Sequence, residues 1–187
     1  MRITGGKARG ILIKAPRGDV TRPATDRMRE AVFSSLGTLV EHSRVVDLFA
    51  GTGAYGLEAI SRGAIQATFY ENNRNALACL QQNKDAVLKA CERKINAVRV
   101  YAHDVYASGL DSKKADLIFI DPPYDTIESQ INPILKKADQ IATPATYVIL
   151  ELPGDLHLEL ENWHIIHRLG KPKRDKPNAA ILEHRAS

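Results

Sequence analysis

The sequence predicts an α/β fold built on a mostly parallel sheet with helices on both faces. Three observations predict it. From residue 45 onward, short apolar runs alternate with stretches of helical spacing, the pattern of parallel strands joined by crossover helices. The first of these strands runs into a glycine-rich turn, Gly51-Thr52-Gly53-Ala54-Tyr55-Gly56. The fourth ends in Asp121-Pro122-Pro123-Tyr124. Both turns fall at the carboxyl ends of strands, where open α/β sheets bind ligands.

Taken in order, residues 1–15 alternate weakly through Ile3, Ile11 and Ile13 around glycines, which predicts a hairpin or extended arm. Residues 17–25 read as a loop. Met28, Ala31, Val32, Leu36 and Leu39 recur at helical spacing and predict a helix over 26–41. Strands are predicted at 45–49, 67–71, 97–101, 117–121 and 147–151, with helices at 54–62, 73–92 and 126–139. The tail reads as a closing hairpin, 164–169 and 179–183, joined by the loop 170–178. No repeat and no low-complexity segment interrupts this order.

A chain of 187 residues with 44% hydrophobic and 26% charged residues is long enough and apolar enough to bury one core. No apolar run is long enough to span a bilayer, and no signal-peptide core is present. Cys79 and Cys91 fall at the two ends of one predicted helix, about 18 Å apart, beyond disulfide reach. That fits a reducing, cytoplasmic setting. The charge is uneven. Residues 1–44 carry nine Lys/Arg against four Asp/Glu, a net of +5, which leaves −1 for the remainder. A basic arm on a near-neutral domain is the footprint of a polyanionic partner.

The segment from Asp47 to Gly56 ends a strand and opens a helix, and glycines there let the backbone pass close to a ligand. It satisfies the dinucleotide pattern G-x-G-x-x-G, so a nicotinamide enzyme must be weighed. Glu71 stands twenty residues after Gly51, where an acid accepts hydrogen bonds from ribose hydroxyls. Asp104, after the third strand, is placed to meet an adenine amine. Asp47 puts a carboxylate where a cationic amino-acid moiety would lie, which favours S-adenosylmethionine over NAD. The candidate cofactor residues are Asp47, Phe49, Gly51, Thr52, Gly53, Glu71, Asn72, Asp104 and Val105. The Asp121-Pro122-Pro123-Tyr124 turn suits a planar amine. An ionised Asp121 accepts without donating, the prolines lack N–H groups and stiffen the turn, and Tyr124 offers a stacking face.

With these blocks in place the chain resembles the RsmD-type methyltransferases, which modify a guanine 2-amino group in 16S ribosomal RNA. Met1-Arg2-Ile3 with Gly6-Lys7-Ala8-Arg9-Gly10 is similar to that family's opening arm. Residues Arg22 to Phe33 resemble its R-P-T-x-D-R-x-R-E-A-x-F signature, and Asp47 to Gly63 its D-L-F-A-G segment. Tyr55 departs from the pattern where an aliphatic residue is expected, a change read as one of packing. Lys173 to Asn178 replaces the expected tyrosine–glycine turn.

The resemblance implies a Rossmann-like, seven-stranded methyltransferase sheet, mostly parallel with an antiparallel C-terminal strand, plus a short basic N-terminal extension. Residues 1–43 would form the arm, a hairpin plus a helix, packed on a catalytic domain at 44–187. It implies methyl transfer from S-adenosyl-L-methionine to a guanine of 16S rRNA within the small ribosomal subunit or its assembly intermediate. Asp121, Pro122, Pro123 and Tyr124 would hold the target base, and Arg9, Arg22, Arg27 and Arg29 would hold phosphates. Competing readings are an adenine methylase of DNA, a protein-glutamine methylase, and a non-catalytic RNA-binding assembly factor, with an NAD oxidoreductase behind them. No metal is expected, since His164 and His167 sit three apart in a strand and face opposite sides. A monomer is the expected state.

Overall fold

The computed structural model describes residues 1–16, 26–107, 109–110, 114–123, 127–154, 160–171 and 177–184. Helix α1 spans Asp26–Leu36, followed by one 3-10 turn, Gly37–Val40. Then come β1 (Arg44–Asp47), α2 (Ala54–Ser61), β2 (Gln66–Tyr70), α3 (Arg74–Ala90) and β3 (Val98–Tyr101). They are followed by β4 (Leu117–Ile120), α4 (Ile127–Ile141), β5 (Tyr147–Pro153), β6 (Trp163–Leu169) and β7 (Pro177–His184). The seven strands form one sheet in the order β3-β2-β1-β4-β5-β7-β6. Neighbours among β1 to β5 are parallel, while β7 runs antiparallel to both β5 and β6. The sheet is therefore mostly parallel with one reversed strand near its C-terminal edge.

The helix read over 26–41 stops five residues early. Gly37 adopts φ +52°, a left-handed conformation that ends α-helical bonding and that glycine reaches without a Cβ penalty. Leu36 is buried, whereas Leu39, beyond the break, is exposed. At the start of α3 the Asn73 side chain accepts hydrogen bonds from the Asn75 and Ala76 amides, so Asn73 is the cap and not the first turn. The predicted tail hairpin is present, with a bulge between Ile165 and His167.

Strand alternation divides the core into two layers. Val45, Leu117, Phe119 and Ile149 face α1, α2, α3 and the N-terminal arm. Val46, Ile118, Ile120, Val148 and Leu150 face the other way, onto Ile127, Ile131, Ile134 and Leu135 of α4. Trp163 closes that second layer at the far edge, its indole N–H donating to Asp139 at 2.8 Å.

The arm joins the first layer through an isolated bridge between Arg2 and Leu12, with Ile3, Ala8 and Ile13 buried. Its anchor is Glu58, a fully buried carboxylate on α2. Glu58 accepts from the Thr4 amide and hydroxyl and from the Gly5 amide, each at 2.8 Å. It also pairs with Arg62 at 2.8 Å and with Arg29 of α1 at 3.2 Å. One side chain thus ties arm, α1 and α2 together. Ser61 adds a second tie, accepting from the Ala8 amide at 2.9 Å and donating to the Gly5 carbonyl at 2.6 Å. Removing Glu58 leaves the buried Arg29 cation without one of its two carboxylate partners, Asp26 being the other, and breaking a buried pair in this way typically costs about 3–5 kcal/mol. Urea unfolding of Glu58→Ala is expected to show a loss of that order, with the midpoint well below wild type.

Candidate active site

Parallel pairing aligns the carboxyl ends of β1, β2 and β4, with β1 at the point where the chain order reverses direction across the sheet. Beyond β1 the ladder continues, as the Leu48 amide bonds to Phe119 and the Ala50 amide to Tyr70. The chain then enters the glycine turn. Gly51 and Gly53 have φ +53° and +86°. A Cβ on Gly53 would fall 2.3 Å from Leu80, so both the backbone and the packing require glycine. A Cβ on Gly51 would meet nothing within 4 Å, so this part of the turn borders open space. The Thr52 carbonyl is held by Asn83 of α3 at 2.9 Å. Asn83 also exchanges two hydrogen bonds with the Lys14 backbone and so binds the arm to the turn.

Glu71, at the end of β2, accepts from the Gly51 amide at 2.6 Å and from the Asn72 and Asn73 amides at 2.9 and 2.7 Å. Three backbone donors orient this carboxylate beside the open turn, and Asn72 is exposed next to it. After β3, Asp104 accepts from the Tyr106 amide at 2.8 Å, and Val105 is buried. The Tyr106 ring lies 5.8 Å from that of Phe49. An open glycine turn, an oriented acid and an aromatic pair fit a nucleoside with hydroxyls to donate and a flat base to cover.

Asp47 is buried and accepts from the Gly56 amide at 3.2 Å. Burial pushes its carboxyl up to about 7; the Glu71 charge adds to this and the amide hydrogen bonds oppose it. Asp121 follows β4, with Pro122 buried and Pro123 exposed beyond it. By strand alternation Asp121 shares a face with Asp47, Phe119 and Glu151 of β5. Burial, then the charges of Glu151 and Asp47, holds the Asp121 carboxyl well above the usual carboxylate range.

The structure brings Asp47, Phe49, Gly51, Thr52, Gly53, Glu71, Asn72, Asp104, Val105, Asp121, Pro122 and Pro123 to this one edge of the sheet. Tyr124 and Arg22 lie outside the described residues. Arg9 and Arg27 are exposed. Arg29 is a correction. It is fully buried, with Nε on Glu58 and Nη2 on Asp26 at 2.9 Å and on the Arg2 carbonyl, so it cannot meet a phosphate. The packing role read for Tyr55 is incomplete as well, because its hydroxyl donates to Glu151. Sequence reasoning missed Glu58, Asn83, Tyr106 and Glu151. For Glu58 a signal was present: an acid among Leu57, Ala59 and Ile60, four residues before Arg62.

A family model described as conserved hypothetical protein 95 matches residues 1–173. The ribosomal RNA small subunit methyltransferase D of Escherichia coli K12 is 34% identical over 174 residues, 90% of this chain and 83% of that protein. YlbH of Bacillus subtilis is 33% identical over 158 residues, 82% of this chain and 79% of that protein. The chain belongs to the RsmD family. Among solved structures, yhhF of Escherichia coli superposes on this RsmD-family fold with a TM-score of 0.79 at 26% identity, covering 100% of this chain and 99% of that one. SMU.776, solved with S-adenosylhomocysteine (SAH), gives a TM-score of 0.60 at 12% identity over 80% of this chain and 48% of that one, a likeness of fold alone.

An acid whose folded pKa lies above its unfolded value keeps its proton longer in the folded state. For Asp47 this means stability present at low pH and lost as pH rises from about 4 to about 7. The slope reaches at most about 1.4 kcal/mol per pH unit for each such carboxyl. Urea unfolding of the cofactor-free protein from pH 4 to pH 7 is expected to show this decline, and Asp47→Asn to make it shallower by the share of one carboxyl, with Asp121 and Glu151 supplying the rest.

Proposed function

We propose that the protein transfers a methyl group from S-adenosylmethionine to the exocyclic 2-amino group of a guanine in 16S rRNA, on the small ribosomal subunit or an assembly intermediate of it. The observation that carries this reading is Asp121 with its two prolines, one strand away from the open glycine turn at the sheet's switch point. The names of the 33–34% identical relatives support the rRNA substrate. Bound there, S-adenosylmethionine would supply an electrophilic methyl on sulfur: the N–C bond would form as the C–S bond breaks, S-adenosylhomocysteine would leave, and the methylated nitrogen would lose one proton to solvent.

The residues then have separate tasks. Glu71 accepts from ribose hydroxyls, Gly51 to Gly53 let the backbone come close, and Phe49 and Val105 cover the adenine with Asp104 at its amine. Asp47 sits toward the cationic end. Asp121 and the Pro122 carbonyl accept the amine hydrogens and turn the nitrogen lone pair toward the methyl, which is catalysis by positioning. Tyr124 stacks on the base. A paired guanine keeps this amine inside the helix, so the target is unpaired or extruded. Arg9, Arg22 and Arg27 hold phosphates, with residues 1–43 as the RNA-binding arm of the catalytic domain at 44–187. The reading includes a monomer acting in the cytoplasm. Two free cysteines fit that setting, and among the described residues no helix is long and apolar enough to cross a membrane.

Labelled S-adenosylmethionine offered with undermethylated small subunits, naked 16S rRNA and duplex DNA tests this directly. The expected product is 2-methylguanine in subunit RNA, formed about a hundredfold or more slowly by Asp121→Ala. Label in DNA or protein, or none in any RNA, would contradict the reading. The arginines divide in a second experiment. Arg9→Ala and Arg27→Ala are expected to weaken RNA binding and each to lower the salt slope by about one, leaving the unfolding midpoint near wild type. Arg29→Ala is expected to lower the midpoint instead.

A further inference from the structure

Behind Asp121 lies a polar pair that the proposed transfer does not use. Glu151 sits on β5, 2% exposed, one residue past Leu150, which pairs with Ile120. Its side chain therefore points from the same face as that of Asp121, with Asp47 of β1 on that face too. The Tyr55 hydroxyl on α2 donates to the Glu151 carboxylate. The Tyr55 ring stacks on Phe119, two residues before Asp121, at 4.9 Å and 20°. Phe33 of α1 closes on both rings, 6.2 Å from Tyr55 and 5.6 Å from Phe119. This aromatic packing fixes the hydroxyl relative to the end of β4.

We infer that Tyr55 and Glu151 are a positioning pair for Asp121: the tyrosine hydroxyl fixes the Glu151 carboxyl and favours its charged form, and that negative charge makes the Asp121 carboxylate the stronger acceptor of the target amine's hydrogens. The inference rests on the methyl-transfer reading for its purpose, though the electrostatic coupling stands apart from it.

Asp47 and Glu151, both buried, and the half-buried Asp121 share one sheet face and cannot all ionise freely, so which of them carries charge depends on its hydrogen bonds. The groups facing the pair favour the charge on Glu151 over Asp121. From α2 it receives the Tyr55 O–H, from α1 it feels the Arg29 cation, and across β7 it opposes the apolar Ala179. Among the described residues the charges acting on Asp121 are those of Glu151 from β5 and Asp47 from β1, the latter itself facing Glu71, and the neutral Tyr55 phenol of α2 lies near it as well. Burial pushes Glu151 up to about 7, with Tyr55 and Arg29 opposing that rise. Losing the hydroxyl pushes the Glu151 carboxyl further up, which weakens the charge beside Asp121. Losing the Glu151 charge outright does the same. Both changes therefore let Asp121 ionise at lower pH.

Carbon-13 NMR of the aspartate-labelled full chain tests this without any substrate, with the Asp121 carboxyl signal assigned through Asp121→Asn. In Tyr55→Phe and in Glu151→Gln the Asp121 midpoint is expected to fall by about one pH unit or more. The double variant is expected to match Glu151→Gln alone. An unmoved midpoint in folded Glu151→Gln would overturn the inference, and that variant decides alone if Tyr55→Phe does not fold. A purely structural role would lower stability and leave the midpoint in place. The acid limb of the methyl-transfer rate is expected to move down in step. Absence of transfer by wild type would sink the methyltransferase reading while the titration still answers the question of coupling.

Discussion

Glu58 is the carboxylate on which the rest of this structure depends. A helix that starts at a ligand-binding turn must be held at a fixed height and rotation, or the turn moves with it. Helix α2 is short, Ala54–Ser61, and its own hydrogen bonds supply little stability at that length. Glu58 compensates by gathering three arm donors and two guanidinium groups onto one buried face. The arm is thereby part of the core. The basic segment proposed to contact RNA on its exposed side is thus also tied to α2 through Glu58.

From that fixed helix the site follows. Tyr55 and Gly56 lie one turn before Glu58, and they reach the buried carboxylates Glu151 and Asp47. The sheet end gathers acids because parallel strands deliver their last residues to one edge, and this chain ends β1 with Asp47 and begins the turns after β2 and β4 with Glu71 and Asp121. Such a cluster is unfavourable by itself, since burial and mutual repulsion both resist ionisation. In the proposed reaction the cofactor's cationic end offsets that charge and the amine supplies hydrogens to the acceptors. The stress in the free protein and the chemistry proposed for it are two views of one charge arrangement.

Much of this was legible in the sequence because it is written in local patterns. Strand-helix alternation, the glycine turn and the paired prolines each have a period or a spacing, and the sheet, its reversed strand and the placing of Asp47, Glu71 and Asp121 emerged as read. Contacts between distant segments leave no such trace. Arg29 sits in a cluster of arginines, and nothing in its neighbourhood distinguishes it from Arg27; only the helix's rotation sends one inward to Glu58 and the other to solvent. Gly37 was visible but lost to a leucine spacing that continued past it. Tyr55 looked like packing because its hydroxyl's partner is 96 residues away.

The central claim is that the switch point holds a cofactor and a guanine amine side by side, with Glu71 serving one and Asp121 the other. A crystal structure of the protein with a bisubstrate analogue, adenosine linked through its methionine-like arm to the 2-amino nitrogen of guanosine, tests it most directly. The account predicts ribose hydroxyls on Glu71, adenine between Phe49 and Val105, and the guanine nitrogen within hydrogen-bonding distance of Asp121. A guanine bound away from the β4 turn, or an adenosine away from Glu71, would contradict it.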